Sequence, residues 1–167
     1  MLKLELDAAA IERLLPHRAP LRLVDRVDGF APGRGARLRA WLRLEGDEPV
    51  FAGHFPGAPI WPGAYLIEGV AQCAGLLLAL QAIHERGGEA GLHALASATS
   101  GALASGLLAR ANVDFHQPVR PPALLRYEVQ WAGAYAGLIK IDGHVGVEGK
   151  TVAKGSVTLV PGPLEPS

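Results

Sequence analysis

Two side chains that can exchange protons, His54 and Glu68, stand fourteen positions apart in the stretch GHFPGAPIWPGAYLIEGVAQCAG, residues 53–75. The histidine is boxed in by glycine and proline, which forbid regular structure and hold it in a loop. An imidazole can take up a proton near neutral pH. The glutamate falls in otherwise apolar helical sequence, where a carboxyl is costly unless it is paired or used in chemistry. Such a group can give a proton. Between the two, Pro62-Gly63 marks the start of the apolar helix, where backbone N–H groups lack partners and point outward. A carbonyl oxygen held there would be stabilised as it gained negative charge. Base, acid and helix start together describe proton abstraction beside a carbonyl, with a leaving group protonated opposite.

Other chemistries fit less well. GKT at residues 149–151 invites a phosphate loop, but five residues rather than four separate Gly143 from Gly149. A helix should follow that motif, and VAKGSVTLV alternates like a strand. The six histidines fall in no metal-ligand spacing, so no metal site is expected. Cys73, the only cysteine, lies in apolar helix, where a thiolate is disfavoured; it reads as a small core residue.

The elements that must position this pair can be read from periodicity. Asp7 is a candidate N-cap for a short helix over AAAIERLL, which Pro16 stops. Residues 21–30 and 36–44 read as strands around the turn APGRG. In the second, Leu38, Ala40, Leu42 and Leu44 alternate with Arg37, Arg39, Trp41 and Arg43, the period of a half-buried strand. Residues 64–86 lack proline and are apolar nearly all round, which predicts a buried central helix ended by Gly87-Gly88. Strands are then expected in ANVDFHQPV, LLRYEVQWA, GLIKIDGHVGV and KTVAKGSVTLV, with turns at AGAYAG and VEGK. One buried helix followed by antiparallel strands implies an α+β fold, a curved sheet wrapped around that helix. One such sheet cannot cover a helix apolar on every side, so a dimer is the natural consequence.

The 167 residues read as one domain, 1–167, with residues 1–20 forming an N-terminal helix and lead-in and 89–112 an Ala/Gly/Ser-rich insertion. Hydrophobic residues at 49% and charged residues at 19% fit a folded globular chain. Acids and bases balance at 16 each, which favours neither nucleic acid nor an anionic membrane as partner. Arg34, Arg37, Arg39 and Arg43 crowd one segment, either as a solvated strand face or as a docking patch for an acidic carrier. One cysteine excludes an intrachain disulfide and points to a reducing compartment. MLKLELD is no signal peptide and the apolar runs fall short of a membrane span, so a cytoplasmic protein is expected.

The stretches LLPHRAPLRLVDRV (14–27), GHFPGAPIWPGAYLIEGVAQCAG (53–75) and, more loosely, DFHQPVRP (114–121) resemble the 3-hydroxyacyl-acyl carrier protein dehydratases of the FabZ and FabA type. Glutamate rather than aspartate at position 68 is similar to the FabZ branch. The resemblance implies a hot-dog fold, homodimers or trimers of dimers, and cofactor-free dehydration of a (3R)-hydroxyacyl thioester to the trans-2-enoyl thioester. The acyl chain would be carried on the phosphopantetheine of acyl carrier protein. By position, His54 would take the α-proton and Glu68 would protonate the hydroxyl. The Gly63 and Ala64 end of the helix would polarise the thioester carbonyl. Phe55, Trp61 and Gln72 become candidates to line the acyl tunnel. In that family the histidine and the acid of one site come from different subunits.

Two further readings compete with dehydration: a hot-dog acyl thioesterase using the same acid to direct water, and a non-catalytic hot-dog partner subunit. The chain departs from the family between Gln72 and Pro118, where HALASATSGALASGLL adds length, and residues 92–108 are expected to set acyl-chain or partner choice. QPVRPPA lacks the family's Gly-Asp, and Trp61 is bulkier than the usual residue before Pro62.

Overall fold

The computed structural model describes residues 1–95 and 106–162. Helix α1 (Ala8–Leu14) begins at Asp7, whose carboxylate accepts the Ala10 N–H at 2.8 Å, the expected N-cap. Strands β1 (Arg26–Ala31) and β2 (Arg37–Leu44) follow, then a short 3-10 turn at Pro49–Ala52 and helix α2 (Gly63–Ala94). Strands β3 (Gly106–Phe115), β4 (Ala123–Tyr135), β5 (Leu138–Val147) and β6 (Lys150–Pro161) complete a six-stranded sheet in the order β1-β2-β4-β5-β6-β3. Every pairing is antiparallel. This sheet against one long helix is the hot-dog fold.

The alternation read in β2 holds: Leu38, Ala40, Leu42 and Leu44 are buried and the residues between them are not. Their side chains meet Leu66, Val70, Ala74 and Leu77 of α2 in one core with Leu125, Tyr127 and Val129 of β4 and Ile141 and Val145 of β5. By length and composition α2 could cross a bilayer, but here its apolar side chains are core. Of the outward residues on β2, Arg39 donates to Asp28 at 2.6 Å, which raises its pKa, and Arg43 lies 3.7 Å from Glu45. Those two belong to an ion-paired strand face.

Three boundaries differ from expectation. Residues 21–25 lie outside β1, because the backbone at Leu21 and Leu23 bonds the Gln72 amide instead of a neighbouring strand. At Gly88 (φ 59°, ψ −151°) α2 breaks as the glycine pair predicts, but helix resumes to Ala94 and buries Leu92. Strand β3 begins at Gly106, earlier than ANVDFHQPV suggests, and the stretch 96–105 of the small-residue segment lies outside the described residues. The turns narrow to Ala136-Gly137 (φ 49° and 78°) and Glu148-Gly149 (φ 50° and 78°). Two consecutive positive φ values are the two-residue hairpin turn that suits twisted strands. Gly149 is therefore a turn residue followed by strand, as expected against a phosphate loop.

Helix and sheet approach closely at two glycines. A Cβ on Gly69 would overlap the Tyr127 hydroxyl and lie 2.7 Å from its Cζ, while one on Gly143 would meet Val70. Tyr127 is fully buried and its hydroxyl has no partner among the described residues. Burial pushes its pKa well up. Gly69→Ala is expected to lose about 1–3 kcal/mol to overpacking, more than the ~1 kcal/mol that alanine gains as a helix former. Tyr127→Phe removes an unpaired polar atom and should be neutral or stabilising, and should recover part of the Gly69→Ala loss. Thermal unfolding of the two single variants and the double variant checks this; additive losses would contradict the contact.

Candidate active site

The loop carrying His54 is closed by its own backbone. Val50 O accepts the N–H groups of Gly53 at 3.1 Å and His54 at 2.9 Å, and Ile60 N–H donates to His54 O at 3.2 Å. The imidazole completes the ring, since its Nδ1 lies 2.8 Å from Ile60 O. A carbonyl only accepts, so Nδ1 carries the hydrogen, and in the neutral ring Nε2 is left with the lone pair. Phe55 stacks on the imidazole at 4.1 Å between centroids and is itself half exposed.

The loop then runs to the start of α2. Trp61 is buried between Phe51 and Tyr65, and its backbone N–H donates to Val119 O at 2.8 Å. Pro62 is the N-cap, one position earlier than the first turn, and its carbonyl takes the Tyr65 and Leu66 N–H groups. The Gly63 and Ala64 N–H groups have no acceptor among the described residues. Phe115 at the end of β3 covers Gly63 so closely that an added Cβ would stand 3.0 Å from its ring. Both amides thus keep an unspent donor at the helix start, the kind of group that can hold a carbonyl oxygen.

Glu68 lies one turn further along α2, with its side chain 26% exposed. Its Oε1 accepts from Gln72 Nε2 at 2.9 Å and lies 3.2 Å from His17 Nε2. Gln72 is buried, and its other bonds go to Leu21 O at 2.7 Å and from Leu23 N–H at 2.8 Å. One chain thus gathers Glu68, Gln72 and His17 at one point, and His54, Phe55 and Ile60 at another. Among the described residues no hydrogen bond or ion pair joins His54 to Glu68.

His17 is the neighbour that sequence reasoning missed. It stood in LLPHRAPLRLVDRV, but nothing in one sequence links position 17 to a carboxyl 51 positions away. The Gln72 contact was legible, because side chains four apart meet on a helix. Cys73 is fully buried and burial pushes its thiol up, away from the thiolate a nucleophile needs. Among the described residues no three His, Cys, Asp or Glu side chains cluster as a metal site would require.

The FabA-like domain family matches residues 15–156. A protein of Nitratiruptor sp. named 3-hydroxyacyl-[acyl-carrier-protein] dehydratase FabZ is 36% identical over 152 residues, covering 89% of this chain and 93% of its own. One of the same name from Erythrobacter litoralis is 35% identical over 154 residues, covering 92% and 91%. Among solved structures, a chain of the dehydratase heterocomplex ApeI:P from Xenorhabdus doucetiae aligns with TM-score 0.65 at 17% identity, over 92% of this chain and 91% of that one. A hypothetical thioesterase with coenzyme A from Streptococcus pneumoniae aligns with TM-score 0.54 at 10% identity, over 80% and 84%. The structural likenesses speak for the fold alone. With its sequence matched from residue 15 to residue 156, the chain belongs to the FabA-like family.

Proposed function

We propose that the protein dehydrates 3-hydroxyacyl groups carried on the phosphopantetheine of acyl carrier protein, releasing the trans-2-enoyl thioester and water in cytoplasmic fatty acid biosynthesis. The observation that carries this reading is the fixed tautomer of His54, with Nδ1–H spent on Ile60 O and Nε2 free. His54 Nε2 removes the proton from the carbon beside the thioester carbonyl. That electron pair becomes the C=C bond as the C–O bond at carbon 3 breaks. Glu68 gives its proton to the departing oxygen, which leaves as water. The carbonyl oxygen carries its transient charge against the Gly63 and Ala64 N–H groups. Phe55 flanks the acyl chain beside His54, while Trp61 and Gln72 shape the channel from behind.

The site is shared between two chains in this reading. The β3 edge has no strand on its free side among the described residues, and it exposes Leu107, Leu108 and Phe115. Along α2, Ile67, Ala71 and Leu78 are only partly buried. A second subunit pairing along β3 covers both, and sets His54 of one chain against Glu68 of the other.

His54→Ala and Glu68→Gln should each cost about 10²–10⁴ in rate while leaving the fold intact. Mass spectrometry of 3-hydroxyacyl carrier proteins reads loss of water; a free thiol without it would mean a thioesterase, and a loss under tenfold would remove the residue from its role.

Mixing the two variants tests the shared site. Half of randomly paired dimers are mixed, and each mixed dimer holds one intact site, so activity should return to about a quarter of wild type. No recovery in purified mixed dimers would end the shared-site arrangement.

A further inference from the structure

We infer that Arg110 and Asp114 fix the register in which a second copy of this chain pairs along β3. Arg110 of each chain faces the partner's Asp114 about a two-fold axis at Asn112; this rests on the shared-site reading above.

The free edge of β3 offers the backbone of alternate residues only. His116 N–H donates to Val152 O at 2.9 Å, and Asp114 and Asn112 lie opposite Lys154 and Ser156 of β6. Backbone groups alternate sides along an antiparallel strand, so positions 112 and 114 spend theirs on β6. Positions 111 and 113 turn theirs to the open side, where another strand can bond them.

Side chains sort between the two faces in the same way. Val113 packs on the core and Phe115 lies over Gly63, so these odd positions face α2. Arg110, Asn112 and Asp114 stand on the opposite face, all exposed, in register with Thr158, Ser156 and Lys154 of β6. On that face Arg39 is paired with Asp28 and Arg126 with Glu128. Neither Arg110 nor Asp114 takes part in an ion pair among the described residues, although Lys154 stands opposite Asp114.

A closed dimer is isologous: where residue i meets residue j of the partner, j also meets i. Antiparallel strands centred on Asn112 therefore set Arg110 against the partner's Asp114 and Asp114 against the partner's Arg110. Two ion pairs form on one face. Toward α2, Val113 falls opposite the partner's Ala111, a larger side chain against a small one. The open backbone groups of those two residues then meet as a hydrogen-bonded pair. Two-fold symmetry allows slips of two residues at a time. A slip of four sets Arg110 or Asp114 against its own copy, which is repulsive. A slip of two sets one of the charges against Asn112 and leaves the other with no opposite charge. Centring on Asn112 is the register that uses both charges.

Disulfide trapping tests this register directly. Opposed residues that do not exchange backbone bonds stand about 4.5 Å apart at Cα, within the range a disulfide spans. Asn112→Cys chains should therefore oxidise to a covalent dimer with copper phenanthroline. Arg110→Cys and Asp114→Cys should each stay uncoupled alone but couple when mixed. Self-coupling at position 110 or 114, or none at 112, would overturn the register.

Charge reversal reads the same contact without a new thiol. Arg110→Asp and Asp114→Arg should each weaken the homodimer about 10- to 100-fold in sedimentation. Combined in one chain they should restore it. Mixed as two chains they should give heterodimers above the statistical half in native mass spectrometry, whereas Arg110→Asp mixed with wild type should give no excess. A wild-type homodimer from either reversal, or a double variant as weak as the singles, would overturn the proposal. Activity regained by mixing His54→Ala with Glu68→Gln, beside no coupling at Asn112, would retire the register alone. A chain that stays monomeric would remove the shared site as well.

Discussion

The rotation of α2 against the sheet fixes everything else at the site. Gly69 faces the buried Tyr127 ring with no room for a Cβ, and Val70 fills the space over Gly143. Successive helix residues turn by about 100°. With residues 69 and 70 pressed to the sheet, Glu68 is carried to the flank of the helix, at the boundary of core and solvent. Gln72, one turn on, takes the same flank and meets the backbone at Leu21 and Leu23. Turning the helix by one residue would drive Glu68 into the apolar sheet face, where an unpaired carboxyl is costly. Two glycines, one on each element, hold the carboxyl where it can be used.

His54 and Glu68, the base and acid of the proposed reaction, are held by the same physical device. Each spends one polar atom on a fixed partner and keeps the other for chemistry. For His54 the partner is a backbone carbonyl in a loop pinned by the N–H groups of Gly53, His54, Ala58 and Ile60, so the ring cannot turn without losing a bond. For Glu68 the partner is the Gln72 amide, which donates to one oxygen, with the His17 ring 3.2 Å from that same oxygen. The helix start between them keeps two amides unpaired because its N-cap is a proline with no side-chain oxygen to offer them. A serine or aspartate there would satisfy the helix and compete with a carbonyl oxygen for those amides.

Local rules made much of this legible, and long-range ones did not. The alternation in Arg37–Leu44, the Asp7 cap, and the glycines at positions 88, 137 and 149 each express a constraint acting within a few residues. So does the loop histidine. Residues 21–25 were misread because β-like composition was satisfied by a side-chain amide from α2, a partner nearly fifty positions away. The start of β3 was missed because GLLARA alternates neither in polarity nor in burial; nearly all of that strand is exposed in one chain. His17 was missed for the first reason again: its chemistry depends on which carboxyl the fold brings to it.

The two edges of the sheet are treated differently, and the difference bears on the site. Leu2 and Leu6 of the N-terminal segment bridge to Phe30 and Val27, so the β1 edge is capped by the chain itself. No described residue does this for β3, whose Leu107 is 63% and Phe115 51% exposed. An open apolar edge is a template for another strand. Phe115 is also the residue that lies over Gly63, so the open edge ends at the helix start. A strand added along β3 would therefore run beside the two unpaired amides of α2 and bring its own loops to that end. The edge left open in one chain is adjacent to the amides proposed to bind the reacting carbonyl. Association and catalysis would then depend on the same aromatic ring.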